Sequence, residues 1–248
     1  MVNSAPILSV VSPVYQGELL VEPLVQRITA ALASLHLPYE IVLVDDGSTD
    51  RTVEKIEALA HQFPAVTGLI FDKNYGQHTA ILAGLQQAKG EWIVVMDCDG
   101  QDPPEQIPEL YRKAQQGYDA VFAARNKSHD PGLKKFYSAF FYSVLKLFSG
   151  ARLSGSTANF GIYSKKVIQA VLQLPQNPFF FPVAARKSSK QSDTLLVEHA
   201  PRIAGETTYT FSKALFLALH VLAGHSFLSA FTRGVPKQYT IKQIISKR

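Results

Sequence analysis

In its first half the chain alternates short apolar runs with segments of helical periodicity, and this alternation restricts the fold more than any other feature. Strands are predicted at 7–15, 39–50, 66–72 and 91–100, and helices at 19–35, 52–63 and 78–88. The strands are rich in Val, Ile and Leu, as expected for strands buried on both faces of a sheet. We therefore predict an α/β fold, with a mainly parallel Rossmann-like sheet and helices on both faces.

A cluster of polar or acidic residues follows each of the four predicted strands. The clusters are Pro13–Tyr15, Asp45–Asp50, Lys73–Gly76 and Asp97–Asp102. In open parallel sheets, ligands bind beyond the carboxyl ends of the strands, which all lie at one edge. We therefore expect the four clusters to form a single binding site.

Three aspartates, Asp97, Asp99 and Asp102, lie within six positions directly after an apolar run. Carboxylates at a strand end, without a nearby cluster of His or Cys, have the oxygen chemistry that Mg²⁺ or Mn²⁺ prefers. The alternative is that they cap the helix that begins near "PPEQIPEL". We assign that capping role to Asp102, and we predict that Asp97 and Asp99 bind metal.

The hexapeptide "DDGSTD", residues 45–50, has two interpretations. Asp-Gly-Ser is common turn chemistry, so the segment alone favours a turn. Adjacent acids at a strand end also bind ribose hydroxyls or a base edge in nucleotide folds. The D-x-D about fifty residues later favours the nucleotide site.

Charge is divided unevenly along the 248 residues. Residues 1–120 contain 7 Lys and Arg against 16 Asp and Glu, whereas residues 121–248 contain 18 against 4. The acidic half suits a cation, and the basic half suits an anionic partner such as a phosphate, a membrane surface or a nucleic acid. A single cysteine, Cys98, and the absence of a secretory signal pattern at the N-terminus predict a reducing, cytoplasmic location.

In this order along the chain, "SPVYQGE", "VDDGSTD", "NYGQHTAILAGLQQAKGEWIVVMDCDGQDPPE" and "AAR" resemble glycosyltransferase family 2. More narrowly, the sequence is similar to the polyprenyl-phosphate branch, which includes enzymes like dolichol-phosphate-mannose synthase. The resemblance is strong over residues 5–125 and fainter to about residue 232. It implies an A-type glycosyltransferase fold, a nucleotide-sugar donor, and Mg²⁺ or Mn²⁺ as cofactor.

The resemblance also implies site residues. The nucleotide-sugar pocket would be lined by Pro13, Tyr15, Glu18, Asp45, Asp46 and Asp97. The metal and the diphosphate would be held by Asp97, Asp99 and Gln101. The catalytic residues would be Asp99, Arg125 and Arg202, with both arginines facing phosphate groups. The sequence departs from the family pattern at Gln16-Gly17, at Thr207-Thr208 and over residues 182–193, which we expect to be solvated.

The acceptor follows from the need for a general base. A sugar hydroxyl needs a base to remove its proton, whereas a lipid phosphate already carries its negative charge. The second half offers four acids as bases, none within an obvious acceptor motif: Asp130, Asp193, Glu198 and Glu206. Cations that would position a lipid phosphate are Lys134, Lys135, Lys165, Lys166 and Arg202. We therefore favour a polyprenyl-phosphate acceptor over a saccharide acceptor of cell-surface polysaccharide synthesis.

Two apolar segments, 136–150 and 214–231, are predicted as core or interfacial helices rather than spanning ones. The basic end, 237–248, is either a frayed terminus or a lipid contact. Many relatives continue into two transmembrane helices, whereas this sequence ends at Arg248. The expected location is the inner face of the membrane, by peripheral docking or through a membrane-embedded partner, without a nucleic-acid partner.

The expected organisation is a nucleotide-sugar-binding half (1–125), an acceptor-side half of the same domain (126–232) and a basic tail (233–248). Two other functions remain open. One is a catalytically degenerate binding subunit, suggested by the altered segment 182–193. The other is a sugar nucleotidyltransferase, which is disfavoured because "SPVYQGELL" lacks a glycine-rich basic loop.

Overall fold

A computed structural model describes residues 5–125, 157–174, 179–197 and 239–246 of the chain. The strands are β1 (Leu8–Val14), β2 (Tyr39–Asp45), β3 (Val66–Phe71), β4 (Trp92–Val95), β5 (Ala120–Arg125), β6 (Thr157–Ser164), β7 (Ser192–Val197) and β8 (Ile241–Ser246). The helices are α1 (Val21–Ala33), α2 (Thr52–Gln62), α3 (Gln77–Gln87), α4 (Ile107–Ala114), α5 (Lys165–Gln173) and α6 (Phe181–Ser188), with a 3₁₀ turn at Pro104–Gln106. The predicted elements of the first half are confirmed within a few residues, except that β2 and β4 each end five residues before the predicted end.

The strands form one eight-stranded sheet in the order β7-β5-β6-β4-β1-β2-β3-β8. Strands β1 to β4 are mutually parallel, and β5 pairs in parallel with β7. Strand β6 is antiparallel to both β4 and β5, and β8 is antiparallel to β3. The mainly parallel sheet is therefore confirmed, and the carboxyl ends of β1 to β5 and β7 lie at one edge, called here the carboxyl edge.

Alternate residues of the strands supply two apolar cores, one on each face of the sheet. Val10 of β1 packs in the core that contains Ile28 of α1 and Ile56 of α2. The next residue, Val11, packs in the opposite core with Ile81 of α3. Successive side chains of a strand point to opposite faces, so β1 contributes to both cores. Because each face of the sheet is apolar, helices cover both faces, and the prediction of helices on both faces is confirmed.

Two second-half segments differ from their predictions. Residues 182–188, expected to be solvated, lie in α6, where Phe181, Val183 and Ala185 are buried. The prediction is therefore wrong for residues 182–185, whereas the polar stretch "KSSKQSD" that follows is exposed or partly exposed. Residues 241–246, expected to be frayed or bound to lipid, form strand β8 along the edge of β3. The apolar segments 136–150 and 214–231, predicted as core or interfacial helices, lie outside the described residues.

Within the described ranges, no helix combines the length and the apolar character needed to cross a bilayer.

Helix α3 lies unusually close to the sheet, at Gly84. A Cβ atom at this position would lie 2.4 Å from Cγ1 of Val11 and 3.1 Å from Cγ2 of Val44. Both valines are fully buried in paired strands and have no room to move. Because Gly84 has no Cβ, α3 can pack this close to β1 and β2.

We predict that Gly84→Ala destabilises the fold. Alanine improves helix propensity by about 1 kcal/mol, but overpacking of a rigid core costs about 1–3 kcal/mol. Because the contact with Val11 is so short, the clash outweighs the propensity gain, and the free energy of unfolding falls by about 1 kcal/mol or more. Chemical denaturation measures the change.

The matched control is Gln87→Ala at the end of the same helix, which creates no overpacking and leaves stability within about 0.5 kcal/mol. A Gly84→Ala protein as stable as the wild type would show that α3 can move away from the sheet at no cost.

Candidate active site

The loops after β1 and β2 are joined by hydrogen bonds from backbone to side chain. The backbone N–H of Gln16 donates to Oγ of Ser48 over 2.8 Å, and that of Gly17 donates to Oγ1 of Thr52 over 2.8 Å. The backbone N–H of Glu18 donates to Oδ2 of Asp50 over 3.2 Å. Three successive backbone donors of one loop therefore use hydroxyl and carboxylate acceptors of the next, which fixes the two loops together.

Asp46 joins the β2 loop to the segment before α3. Its Oδ1 accepts the backbone N–H of Tyr75 at 2.7 Å, and its Oδ2 accepts that of Gly76 at 2.9 Å. Gly47, next to it, has φ of 71°, and a Cβ there would lie 2.3 Å from the carbonyl carbon of Lys73. The two loops approach so closely that only glycine fits.

Asp45 is the last residue of β2 and is fully buried. Its Oδ2 accepts the backbone N–H of Ser48 over 3.1 Å, whereas Oδ1 has no hydrogen-bond partner among the described residues. Burial raises the pKa of the Asp45 carboxyl above its ordinary value, against the opposing hydrogen bonds from Ser48. An unpartnered buried oxygen at this edge is costly, and it is an acceptor available to a ligand hydroxyl or N–H.

Asp97, after β4, is held by amide groups from two other elements. Nε2 of Gln77, the first residue of α3, donates to Oδ1 of Asp97 over 2.7 Å. Nδ2 of Asn159 in β6 donates to the same oxygen over 3.0 Å. The backbone N–H of Asp97 donates to Oδ2 of Asp102 over 3.1 Å. The side chain and backbone of Asp97 are therefore both fixed.

Asp102 was predicted to cap the next helix, and this prediction is wrong. The residues directly before the 3₁₀ turn and α4 are Pro103 and Gln106, and neither provides a side-chain cap. Asp102 is instead buried, with one oxygen bonded to the start of its own loop. It closes the loop that presents Asp97 and Asp99.

Asp99 and Gln101 of the same loop carry side-chain oxygens that could bind a metal. Oδ1 of Asp99 accepts the backbone N–H of Gln101 over 3.0 Å. Burial, with a smaller effect from the Asp97 charge, raises the pKa of the Cys98 thiol to about 12, so Cys98 is neutral at physiological pH. The described residues contain no cluster of three or more His, Cys, Asp or Glu with metal-binding geometry. Two carboxylates and an amide oxygen match Mg²⁺ or Mn²⁺, which keep several waters and share ligands with phosphates.

The remaining predicted residues of the first half also lie at this edge. Pro13 is buried within β1, Tyr15 is 48% exposed in the loop that follows, and Glu18 accepts the backbone N–H of Arg51 through Oε2 over 3.4 Å. Arg125 is the last residue of β5, which ends at the same edge. Arg202 lies outside the described residues.

Two predicted phosphate-binding lysines lie at the opposite edge of the sheet. Ser164 at the end of β6 pairs with Trp92 at the start of β4, and Lys165 and Lys166 follow it. The backbone N–H of Lys165 donates to the carbonyl of Glu91 over 2.8 Å. The prediction for these lysines is therefore wrong, because β6 runs antiparallel and carries them away from the Asp97 loop.

Asp193, one of the four candidate bases, is also distant from the site. It lies at the start of β7, paired in register with Val121 near the start of β5. Its carboxylate forms an ion pair of 2.9 Å with Nζ of Lys113, and the hydrogen bond from Lys113 lowers the Asp193 pKa. The other three candidate acids lie outside the described residues.

Gln77 and Asn159 were not predicted as site residues. Gln77 lies in the stretch "NYGQH" and Asn159 in "TANFGIYS", both present in the sequence that carries the resemblance. The available signals were a polar residue at the first position of a helix and an amide between Ala158 and Phe160 in a buried strand. Their shared partner becomes visible only when β6 is placed beside β4.

Comparisons with known proteins agree with this architecture. The model of the family described as Glycosyl transferase family 2 matches residues 9–172. An undecaprenyl-phosphate 4-deoxy-4-formamido-L-arabinose transferase of Shewanella sediminis (strain HAW-EB3) is 35% identical over 215 residues, covering 86% of this chain and 65% of that protein. The chain therefore spans just under two thirds of the length of this curated relative.

Solved structures show the same fold. A mannosyltransferase from Pyrobaculum calidifontis, in complex with GDP-Man and Mn²⁺, superposes with a TM-score of 0.61 at 18% identity, covering 94% of this chain and 66% of that chain. Glucosyl-3-phosphoglycerate synthase from Mycobacterium tuberculosis, in complex with Mn²⁺, UDP and phosphoglyceric acid, has a TM-score of 0.62 at 17% identity, covering 97% and 88%. The A-type glycosyltransferase fold is thus confirmed, and the chain belongs to glycosyltransferase family 2.

Proposed function

We propose that the chain is the catalytic domain of a metal-dependent, inverting glycosyltransferase that moves a sugar from a nucleotide-sugar donor to a polyprenyl phosphate. The observation that carries the proposal is the position of two sets of carboxylates at one sheet edge. One set presents the Asp45 oxygen that has no partner among the described residues, and the other presents Asp97 and Asp99. A nucleoside diphosphate has hydroxyl and N–H donors at one end and phosphates at the other, which matches these two sets.

The nucleoside would lie against the loops after β1 and β2. Asp45 would accept a ribose hydroxyl or a base N–H through Oδ1, which relieves the cost of its buried charge. Asp46 is occupied by the backbone of Tyr75 and Gly76, so its proposed contribution is the shape of the pocket. Pro13, Tyr15 and Glu18 would form the adjacent wall, and the half-exposed ring of Tyr15 offers a stacking surface.

Asp97, Asp99 and Gln101 would hold Mg²⁺ or Mn²⁺ together with the diphosphate. Such a metal, when bound, neutralises the charge of the leaving nucleoside diphosphate. The support is the oxygen-only chemistry of the loop and its rigid closure by Asp102. The relatives in the comparisons that contain Mn²⁺ hold it together with nucleotides or nucleotide sugars.

A lipid-phosphate acceptor agrees with the position of Asp193, the candidate base that the structure describes, which lies away from the site. An oxygen of the acceptor phosphate would attack the anomeric carbon, and the bond from this carbon to the diphosphate oxygen would break with its electron pair. One displacement of this kind inverts the anomeric centre and requires no base to deprotonate the acceptor. Asp193, the candidate base that the structure describes, is paired with Lys113 at the far edge.

Chain topology supports the assignment of acceptor binding to the second half. The described residues that flank the segments 126–156 and 198–238 are Arg125, Thr157, Val197 and Tyr239, and all four lie at or next to the carboxyl edge. These segments contain 9 Lys and Arg against 3 Asp and Glu. Arg125 and Arg202 would act there on phosphate groups, which bidentate guanidinium groups recognise well.

Two alternatives make different use of the same site. A saccharide acceptor would require a base among Asp130, Glu198 and Glu206, since Asp193 is distant from the site. A degenerate binding subunit was suggested by the altered segment 182–193. That segment forms a packed helix and the start of a strand, so its unusual sequence is compatible with an ordered acceptor side.

A transfer assay tests the proposal. UDP-, GDP- and dTDP-sugars are incubated with the chain and undecaprenyl phosphate, with Mn²⁺ or Mg²⁺ and with EDTA. We expect one donor class to yield a lipid-phosphate-linked sugar of inverted configuration, with turnover lost in EDTA. Asp99→Asn should lower turnover by about 100-fold or more, because it removes a charged ligand of the metal that would neutralise the leaving diphosphate.

Asp72→Asn, an exposed aspartate that follows β3 at the same edge, is the matched control and should retain activity. Transfer to undecaprenol or to a saccharide, but not to the phosphate, would contradict the proposed acceptor. Binding of donor without any turnover would favour the degenerate subunit.

We predict that Asp45→Asn weakens nucleotide binding but stabilises the ligand-free chain at pH 7. Loss of a charged acceptor costs about 1–3 kcal/mol of binding free energy. Because burial raises the folded pKa of Asp45, the wild type loses stability as pH rises from about 4 through that folded pKa. The melting temperatures of variant and wild type should therefore converge at pH 4 and separate at pH 7.

Thermal melts across this pH range and calorimetry with UDP and GDP measure both effects. Asp72→Asn again serves as control, with no change in either quantity. Unchanged nucleotide affinity in Asp45→Asn would mean that Asp45 is only a turn residue.

We also predict salt-sensitive docking to anionic membranes. Each Lys or Arg near such a surface contributes on the order of 1 kcal/mol, and apolar side chains of 136–150 and 214–231 would add to this. Co-sedimentation with anionic and neutral liposomes should show binding to the anionic ones at low salt and release at high salt. If the chain fails to bind anionic liposomes at low salt, it does not dock to the membrane without a partner.

A further inference from the structure

We propose that Gln77 and Asn159 are positioning residues for Asp97, and that these neutral donors hold its carboxylate without adding a positive charge where the cation of the donor complex would bind. Both side chains donate an amide N–H to the same oxygen of Asp97, over 2.7 and 3.0 Å. The inference rests on the proposed function, since it concerns the carboxylate that would hold the metal and the diphosphate.

The two donors reach Asp97 from separate parts of the fold. Gln77 begins α3, which packs on β1 and β2. Asn159 lies in β6, and the antiparallel register that pairs Val95 with Gly161 places Asn159 beside position 97. With the bond from the Asp97 backbone to Asp102, three elements fix one residue. A carboxylate held in this way loses little conformational freedom when a cation binds.

The kind of donor matters as much as its position. A lysine or arginine would form a stronger hydrogen bond to a carboxylate, because charge-assisted bonds are about twice as strong as neutral ones. Such a donor would also cancel the charge that attracts a divalent cation. An amide holds the oxygen and adds no net charge. The two amides thus fix the position of the Asp97 carboxylate and weaken its attraction for a metal ion only slightly.

Gln77 also links the two ends of the proposed donor site. The preceding residue, Gly76, has φ of 96° and donates its backbone N–H to Asp46. The next side chain along the chain reaches Asp97. Two adjacent residues therefore connect the carboxylate of the nucleotide loop with that of the metal loop, so a shift of α3 would disturb both.

The test uses Gln77 because its side chain is exposed, so variants are expected to fold, whereas Asn159 is 9% exposed within the sheet. The variants are Gln77→Met, which removes the donor at similar size, and Gln77→Lys, which keeps a donor and adds charge. The control is Gln87→Met, at the last position of the same helix, about 15 Å away. Calorimetry measures the affinity for UDP and for GDP with Mn²⁺ and with EDTA, and the ratio of the two affinities is the metal-dependent gain.

Gln77→Met should reduce this gain about tenfold at low and high salt, as expected for loss of a hydrogen bond to a charged group. Gln77→Lys should also reduce the gain, because its added positive charge repels the metal. Salt screens this exposed charge, so the metal-dependent gain of Gln77→Lys should rise about threefold or more relative to that of the wild type at high salt. The electron paramagnetic resonance spectrum of Mn²⁺ with UDP should change in both variants. Gln87→Met should match the wild type in every measurement.

If the metal-dependent gain of Gln77→Met equals that of the wild type, the positioning role of Gln77 is overturned. A loss in Gln77→Lys that does not respond to salt would overturn the charge argument. Absence of any metal-dependent gain in the wild type would instead overturn the proposed metal-dependent function, and the inference with it. These failures are distinguishable because the last one appears in the unmodified chain.

Discussion

The architecture of the site depends on the carboxylate of Asp46, which binds the backbone N–H groups of Tyr75 and Gly76. These bonds hold the loop after β2 against the segment that starts α3. The start of α3 in turn decides where Gln77 lies, and Gln77 holds Asp97. Gly47 and Gly84 permit the two close approaches that this arrangement needs, between loops and between helix and sheet. One buried carboxylate with backbone partners thus sets the spacing between the two loops that we propose bind the donor.

Asp45 and Asp46, at the end of β2, are neighbours in the sequence but differ in their hydrogen bonding. Asp46 has its hydrogen bonds satisfied by the protein and is structural in the absence of ligand. Asp45 is equally buried, yet one of its oxygens lacks a partner in the described part of the chain, and burial raises its pKa. We propose that a ligand supplies the missing partner, since costly buried polar groups cluster at functional sites. On this proposal, stability and binding oppose each other at Asp45 and agree at Asp46.

Most of the first half could be predicted from sequence because parallel strands and their covering helices have local, periodic signatures. The clusters at strand ends followed, since parallel strands share an edge. Gln77 and Asn159 could not be found in this way, because they lie 20 and 62 positions from their common partner Asp97. The error at Lys165 has the same origin. Its positive charge suggested a contact with the acceptor phosphate, but the antiparallel direction of β6 carries Lys165 to the opposite edge.

The direction of β6 also explains why the two halves of the chain form one site. Its first residues lie beside the end of β4, where Asn159 contributes to the Asp97 environment, and its last residues lie beside the start of β4. A parallel strand at this position would have placed the end of β6, with its lysines, next to Asp97. Cationic side chains there would compete with a divalent metal for the same carboxylate. The antiparallel strand instead gives the acidic loop an amide and moves two positive charges away, so the strand direction maintains the negative potential that the proposed metal site requires.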